Sequence, residues 1–272
     1  MLTRNTWALF LLFPFAATVP AKSQTTDTLY STRPVISIGN TALVVGFGLA
    51  TLAATPADRR ITRELQDDAR QANIYLSRGA TVFRLLGHPG GILTGAGIYA
   101  GGYVAGNRRA EDLGLHTVET IVIANTITAA IKMTAGRARP RKNPNNAADF
   151  QLFRGVGNDE YQSFPSGHST AAFAFATIVS AETSHWWPES RWLIGPVVYG
   201  GAALTGVSRI YNNAHWASDV IAGAAIGTLT GIKVYRYQHS HPNNRLDKRF
   251  LRAGIQVSNT GALTPIMSMV SR

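Results

Sequence analysis

Six apolar segments, joined by glycine-rich turns, constrain the fold of this chain more than any other feature of its sequence. The segments cover residues 35–54, 91–106, 117–131, 169–181, 192–207 and 220–232. No alternation of apolar and polar residues persists over several of them, so the pattern does not favour β-strands. Short helices that are apolar on all faces are typical of a buried core. The sequence therefore predicts an all-α helical bundle, with a charged amphipathic helix at residues 58–76 on its surface.

The length of these segments bears on whether the bundle lies in water or in a membrane. A membrane-spanning helix needs about 18 or more apolar residues. Residues 35–54 are long enough but include Asn40, and the other segments are shorter. The mean hydropathy of +0.01 is low for a protein with six spans. We therefore expect a soluble or peripheral protein, with a multi-pass inner-membrane protein as the alternative.

Residues 1–23 have the features of a secretory signal peptide. Arg4 precedes an apolar run at residues 7–17, and the sequence Ala-Lys-Ser at residues 21–23 resembles a cleavage site with small residues. An uncleaved anchor helix is the alternative. Cleavage of a signal peptide predicts that the mature protein is periplasmic or extracellular.

The balance of charged residues indicates an anionic partner. The chain has 26 Lys and Arg residues against 15 Asp and Glu residues, a formal net charge of +11. Such an excess is typical of proteins that bind nucleic acid, a membrane surface or a phosphorylated substrate. The chain contains no cysteine, which excludes a disulfide scaffold, a thiolate zinc site and a cysteine nucleophile. Three short motifs narrow the choice of anion.

The first motif places two cations at a predicted helix end. Lys132 lies in the last turn of the helix, Gly136 ends it, and Arg139 follows in the loop before a proline. Convergent Lys and Arg side chains suit a tetrahedral oxyanion, because a guanidinium can donate two parallel hydrogen bonds. Taken alone, the pattern is more typical of cations that complement a helix dipole.

The second motif, Pro-Ser-Gly-His, precedes an apolar segment. Ser166 is predicted to cap the following helix, whose unpaired N–H groups would favour an anion. Gly167 lets a ligand approach the backbone closely. His168 would then stand at the mouth of the anion site and donate a proton. The alternative is an ordinary capped helix with an incidental histidine.

The third motif is Ser-Arg-x5-His-x3-Asp. Arg209 is a third cation, and His215 and Asp219 are four residues apart, which predicts that they share a helix face. Asp219 would accept a hydrogen bond from one imidazole nitrogen and leave the other free to attack. Asn212 or Asn213 would cap this helix. A purely structural His–Asp pair is the alternative.

Taken together, the motifs match a three-part signature: Lys-x6-Arg-Pro, Pro-Ser-Gly-His and Ser-Arg-x5-His-x3-Asp. The sequence thereby resembles the type 2 phosphatidic acid phosphatase (PAP2) superfamily, which also contains bacterial acid phosphatases and vanadium haloperoxidases. The resemblance covers residues 35–237 without a departure at any signature residue. It implies a PAP2/haloperoxidase-like helical bundle with the active site at one end. The phosphatase domain would occupy residues 35–238, after a polar lead at residues 24–34 and before a basic tail at residues 239–272.

The resemblance also implies a role for each motif residue. His215 would be the nucleophile that takes the phosphoryl group as phosphohistidine, Asp219 would orient it, and His168 would protonate the leaving oxygen. The groups that would bind the phosphoryl oxygens are Lys132, Arg139, Ser166, the backbone N–H of Gly167, and Arg209. No metal ligands are expected.

We therefore expect an exported, metal-independent phosphatase that acts on phosphomonoesters or lipid (pyro)phosphates. The expected partner is a phosphorylated small molecule or a lipid phosphate, with contact to a membrane surface and no nucleic acid. No cofactor is expected, and vanadate would act as a phosphate mimic. One alternative is a vanadium-dependent haloperoxidase that holds vanadate as its cofactor in the same pocket. A second alternative is a non-enzymatic basic anion-binding module.

Several other residues carry weaker expectations. Arg137, Arg141 and Lys142 would either steer anions towards the site or lie in a solvated loop. The loop at residues 142–164 is polar but contains several aromatic residues, and we expect it to lie over the pocket and help select the leaving group. His239, in the predicted basic tail, has no carboxylate nearby in the sequence and is expected to be solvated.

Overall fold

The structure is a computed structural model. It describes residues 38–241, residue 244 and the short antiparallel strands β1 (Ile255–Val257) and β2 (Leu263–Pro265). The predicted signal peptide and polar lead lie outside the described residues, as does most of the predicted basic tail. The domain boundaries drawn from the sequence therefore stay predictions.

Nine α-helices lie within the described part of the chain. They are α1 (Ile38–Ala54), α2 (Asp58–Leu65), α3 (Asp68–Gln71), α4 (Ile74–Leu85), α5 (Gly91–Ala105), α6 (Arg108–Ala135), α7 (Gly167–Trp186), α8 (Ile194–Tyr211) and α9 (Ala217–Ser240). The four longest, α6 to α9, form a bundle in which α7 is central and packs against the other three. The predicted helical bundle is confirmed.

Small residues let the helices of this bundle approach closely. Ala171 and Ala174 on α7 pack against Ile121 of α6. On the other side of α7, an added Cβ at Gly223 of α9 would lie 2.4 Å from the carbonyl oxygen of Ser166. The glycine therefore lets the starts of α7 and α9 lie side by side, and these starts carry the second motif and the last residue of the third.

The predicted amphipathic helix at residues 58–76 is divided into α2, α3 and the start of α4. Asp67 interrupts it by capping α3 with its side chain. The apolar residues of α2, Ile61 and Leu65, pack where α8 ends and α9 begins, as the spacing predicts. The N-terminal helices thus support the end of the bundle at which the motifs lie.

Four helices within the described residues are long and apolar enough to cross a membrane: Thr41–Leu65, Arg108–Ala135, Pro188–Tyr211 and Ala217–Ser240. The large apolar side chains that α1 exposes are Val44, Val45, Leu49 and Leu52. Such a surface supports a membrane-associated protein, and the alternative of a multi-pass inner-membrane protein is consistent with it. The sequence pattern underestimated these lengths because the helices continue past the polar residues at which the apolar segments end. Export to the periplasm or the medium stays a prediction.

A buried contact between a histidine and a carboxylate lies at the end of the bundle opposite to the motifs. His116 Nδ1 of α6 is 2.7 Å from a carboxylate oxygen of Glu182 on α7. His239, in the last turn of α9, brings its Nε2 within 3.5 Å of the other oxygen of Glu182. His239 is exposed to solvent, as expected, but it also has a carboxylate neighbour that the sequence did not predict, because α9 extends far enough to reach α7.

Candidate active site

The structure brings the three motifs together at one end of the bundle. The first motif ends α6, the second begins α7, and the third joins the end of α8 to the start of α9. Gly136 ends α6 with φ at 56°, and Ser166 caps α7, as the sequence predicts. Two helix N-termini, those of α7 and α9, thus lie at this end and favour an anion there.

His215 is buried, and one hydrogen bond determines its tautomer. Its Nδ1 lies 2.7 Å from the carbonyl oxygen of Ser163. A carbonyl oxygen can only accept, so Nδ1 carries the proton and Nε2 keeps a free lone pair. Burial and the charge of Lys132 lower the pKa of His215 to about 3. The imidazole is therefore neutral at physiological pH, as a nucleophile requires.

Asp219 lies near His215 but does not accept the hydrogen bond from it that the sequence predicts. The distance from Asp219 Oδ2 to His215 Nδ1 is 3.8 Å, too long for a hydrogen bond. The same oxygen accepts hydrogen bonds from the backbone N–H of Trp216 at 2.8 Å and from Ser163 Oγ at 2.6 Å. Asp219 therefore holds Ser163, whose carbonyl holds the imidazole. Ser163 is a site residue that the motifs did not indicate.

The reason for this difference is the position at which α9 begins. The helix starts at Ala217 with Trp216 as its cap, so His215 precedes the helix and shares no face with Asp219. The predicted caps Asn212 and Asn213 lie earlier, in the turn after α8. Asn213 has φ at 54°, a left-handed conformation that asparagine tolerates better than most residues.

Two of the predicted cations adjoin the imidazole. Arg139 places its Nη1 3.4 Å from His215 Nε2, and Asp159 orients the guanidinium by accepting from Nε and Nη2, each at 2.7 Å. Lys132 donates from Nζ to the carbonyl oxygen of Gln162 at 2.6 Å, beside the segment that holds His215. The helix end and the following loop thus converge, as the first motif predicts.

Arg209 has unused hydrogen-bonding capacity in the site. Its side chain is only 8% exposed. Among the described residues, no group accepts a hydrogen bond from its Nε or Nη1, although both atoms are buried. Leaving buried guanidinium N–H groups without acceptors is costly. The arrangement therefore indicates a site built for an anion with several oxygens.

The start of α7 completes the site. Ser166 is buried, and its Oγ accepts from the backbone N–H and the hydroxyl of Ser169. An added Cβ at Gly167 would lie 3.7 Å from Lys132 Cε, so Gly167 lies beside one of the predicted cations. His168 is half-buried, and burial together with the charge of Arg209 lowers its pKa to about 3.

The loop at residues 142–164 is anchored to the site by its backbone and two aromatic side chains. The ring of Phe150 lies beside the guanidinium of Arg137, 5.0 Å from its centroid to Cζ, and Tyr161 is buried. Arg141 bonds to Asp159 and Glu160 at the surface, as expected for a solvated loop.

Arg137 is a structural cation, and neither of the two expectations for it, steering of anions or a solvated loop, holds. It is buried and donates hydrogen bonds to carboxylates of Asp219 and Asp58, to Ser218 Oγ and to the carbonyl oxygen of Ala147. The positive charge of Arg137 is therefore neutralised by carboxylates inside the protein. Through Asp219, this network fixes the start of α9, beside the imidazole.

Asp58 is the second residue that the motifs did not indicate. It begins α2, is fully buried, and accepts hydrogen bonds from the backbone N–H of Ser218 at 2.9 Å and from Arg137 Nη2 at 2.8 Å. The sequence predicted a surface helix here, with its charges in water. No local pattern reveals this contact, because Asp58 and Ser218 are 160 residues apart.

We expect the Asp58→Ala variant to be destabilised by about 3 kcal/mol, because the change leaves Arg137 with an incompletely paired buried charge. Thermal unfolding of the purified protein in detergent measures this loss. Asp68→Ala, which removes an exposed carboxylate from the first turn of α3, is the matched control. Equal unfolding midpoints for the two variants would contradict the buried network.

The chemistry of the site is that of an oxyanion pocket. Its charged groups are guanidinium and ammonium groups around a neutral imidazole. Within the part of the chain that the structure describes, no group of three or more His, Cys, Asp or Glu side chains could hold a metal ion. The fold and the site together define a helical bundle that gathers cations around a histidine lone pair, an arrangement that suits a tetrahedral anion.

Comparison with known families agrees with a helical bundle that has an anion site at one end. Residues 113–242 match the model of the PAP2 superfamily. The matched region contains all three motifs. The N-terminal residue Asp58 lies outside the match.

Relatives and a solved structure are similar to parts of the chain. A lipid A 1-phosphatase of Porphyromonas gingivalis is 46% identical over 72 residues, which are 25% of this chain and 15% of the relative. A PA-phosphatase related-family protein of Dictyostelium discoideum is 30% identical over 175 residues, 57% of this chain and 63% of the relative. The chain thus spans less than two thirds of the length of these relatives.

The fold is also found in a crystal structure of a transmembrane PAP2 type phosphatidylglycerolphosphate phosphatase from Bacillus subtilis. The superposition has a TM-score of 0.57 and covers 76% of this chain and 98% of the other, at 20% sequence identity. At this identity the comparison establishes the shared helical fold.

Proposed function

We propose that this chain is a membrane-bound phosphatase that hydrolyses lipid phosphates or lipid pyrophosphates through a phosphohistidine on His215. One observation carries the proposal: the unprotonated Nε2 of His215 lies beside Arg139, in a pocket where the buried Nε and Nη1 of Arg209 have no acceptor among the described residues. The names of the relatives support a lipid phosphate as the substrate, and the four helices that could span a membrane support access to it.

In the first chemical step, His215 Nε2 attacks the phosphorus atom in line with the leaving oxygen. The N–P bond forms while the P–O bond to the lipid breaks, and His168 gives its proton to the leaving oxygen. Arg139, Arg209 and Lys132 stabilise the negative charge on the equatorial oxygens. The Nδ1–H of His215 keeps its hydrogen bond to Ser163 as the ring becomes positively charged.

In the second step, water attacks the phosphorus atom of the phosphohistidine. His168, now neutral, takes a proton from the water, the N–P bond breaks, and inorganic phosphate leaves. His215 returns to its neutral form. The same histidine thus acts first as an acid and then as a base.

The low pKa of His168 couples proton uptake to substrate binding. Burial and the charge of Arg209 hold this pKa at about 3, so His168 is neutral before the substrate binds. A phosphate dianion adds two negative charges beside the cations and raises the pKa of His168, which lets the imidazole become protonated. The complex of protonated His168 with the phosphate dianion contains as many protons as neutral His168 together with a phosphate monoanion. The complex can therefore form from these two species without a proton from solvent.

We therefore expect kcat/KM to be highest in acid. A phosphomonoester loses its second proton with a pKa of about 6, so kcat/KM should fall as the pH rises above that value. No loss is expected between about pH 6 and pH 4, because His215, with a pKa of about 3, stays neutral there. The pH profile of kcat/KM with a water-soluble alkyl phosphate, whose leaving group needs the proton of His168, measures this. An optimum above pH 8 would contradict the assigned proton inventory.

Phosphate release from lipid phosphates in detergent micelles tests the function directly. We expect hydrolysis of long-chain phosphatidate or of a lipid pyrophosphate, with vanadate as an inhibitor because it mimics phosphate. The haloperoxidase alternative predicts the opposite response to vanadate. Loading the protein with vanadate would then produce an activity, the oxidation of bromide by peroxide. The anion-binding alternative predicts binding of phosphate without turnover.

A further inference from the structure

A short segment beside the site exposes an unusual amount of apolar surface. Residues 152–156, here called the apolar loop, expose 77% of Leu152, 66% of Phe153 and 63% of Val156. Three large apolar side chains so close together in water are unfavourable, and exposed clusters of this kind typically mark contact surfaces.

The backbone of the apolar loop is strained at the residue that exposes the aromatic ring. Phe153 has φ at 62°, in the left-handed region, which costs a bulky residue about 1–2 kcal/mol. The ring of Phe153 is exposed, so burial against the described residues does not offset the cost of this backbone conformation. A backbone outlier of this kind motivates a search for function at the residue.

Contacts with α6 hold the apolar loop in this conformation. The backbone N–H of Phe153 donates to the carbonyl oxygen of Thr134 at 2.9 Å, and that of Gln151 donates to Gly136 at 2.9 Å. Gly155 packs so closely that an added Cβ would lie 2.2 Å from the carbonyl oxygen of Lys132. The loop is therefore fixed to the last turn of α6.

This position places the apolar loop where a membrane surface would lie. The helix to which it is fixed is one of the four that could span a membrane, and the loop contacts its final residues. Met133, an exposed residue of the last turn of α6, adjoins Gly155. The exposed apolar surface of the helix thus continues onto the loop. The same turn carries Lys132, whose ammonium group lies in the proposed phosphate pocket.

We propose that the apolar loop inserts into the lipid leaflet at the active-site end of the bundle and holds the phosphate pocket at the level of the lipid headgroups. A lipid phosphate would then enter from the leaflet, with its acyl chains beside Leu152 and Phe153 and its phosphate beside Lys132. The insertion itself is independent of the reaction, whereas the delivery of substrate rests on the function proposed above.

Site-directed spin labelling tests the insertion without any assay of activity. The chain has no cysteine, so Leu152→Cys creates a unique attachment site. In phospholipid vesicles we expect a label at residue 152 to collide readily with oxygen, which concentrates in the acyl region, and poorly with a water-soluble nickel complex. Lys142→Cys, an exposed polar position in the same connecting segment, is the matched control and should show the reverse.

Two results would overturn the insertion. A label at residue 152 that is as accessible to the nickel complex as the control would place the loop in water. A label that is protected from both oxygen and nickel would indicate that protein, such as a second copy of the chain, covers the loop instead of lipid.

The double variant Leu152→Gln, Phe153→Asn tests delivery of the substrate. Asparagine tolerates the left-handed conformation, so the backbone of the loop is preserved. We expect kcat/KM for long-chain phosphatidate in vesicles to fall by at least about tenfold, because the apolar area that seats the loop is lost. Turnover of a water-soluble aryl phosphate should be unchanged, and Lys142→Gln should leave both substrates unaffected.

Equal losses on the two substrates, or no loss on the lipid, would contradict delivery by the apolar loop. If the unmodified protein hydrolyses no phosphate ester, the proposed function fails, and with it the delivery of substrate. The spin-label measurement still decides whether the loop lies in the membrane.

Discussion

The His215→Ala variant is expected to fold normally and to lose about 10⁴-fold or more of its phosphatase turnover, as enzymes do when the attacking group is removed. His215 is the residue in the pocket that combines a free nitrogen lone pair with a hydrogen bond that fixes its tautomer. The remaining cations can still bind phosphate in the variant. We therefore expect binding of inorganic phosphate to persist while hydrolysis is lost.

The measurement compares phosphate release and phosphate binding in the same preparation. His185→Ala, which removes an imidazole near the opposite end of α7, is the matched control and should keep its turnover. Near-normal turnover of His215→Ala would exclude this histidine as the nucleophile. Loss of both binding and turnover would show instead that the side chain maintains the pocket.

The His168→Ala variant is expected to lose about 10³-fold of its turnover of alkyl phosphates, the range typical of a general acid. An alkoxide is a poor leaving group and needs a proton as the P–O bond breaks. A nitrophenolate is stable without that proton, so the loss on nitrophenyl phosphate should be much smaller. The ratio of the two losses therefore identifies the role of His168 as an acid rather than as a structural group.

His88 provides the control for this assignment. Its ring lies 5.8 Å from that of His168, at the surface of the same end of the bundle. We expect His88→Ala to keep both activities. If His88→Ala shows the loss that depends on the leaving group and His168→Ala does not, the proton donor has been misassigned.

The helix termini of the site could be predicted from the sequence because nearby residues determine them. Gly136 supplies the left-handed residue that ends α6, and Ser166 supplies the side-chain oxygen that caps α7. Both effects act within a few residues. The convergence of Lys132 and Arg139 follows from these termini and was predicted with them.

The hydrogen bonds of Asp219 could not be predicted in this way. The spacing of four residues predicts a shared helix face only if both residues are in the helix, and α9 begins two residues after His215. The acceptor for the imidazole comes from Ser163, 52 residues away in the chain. Likewise, Arg137 is paired with Asp58, 79 residues away, so its burial depends on tertiary packing rather than on a local pattern.

The phosphohistidine on His215 is tested most directly by trapping it. The purified protein is mixed with a lipid phosphate that carries ³²P and is quenched in base, in which phosphohistidine is stable. We predict a protein-bound label that is lost in acid, that maps to the peptide containing His215, and that is absent from His215→Ala. An acid-stable label, or a label that persists in His215→Ala, would contradict the proposed mechanism.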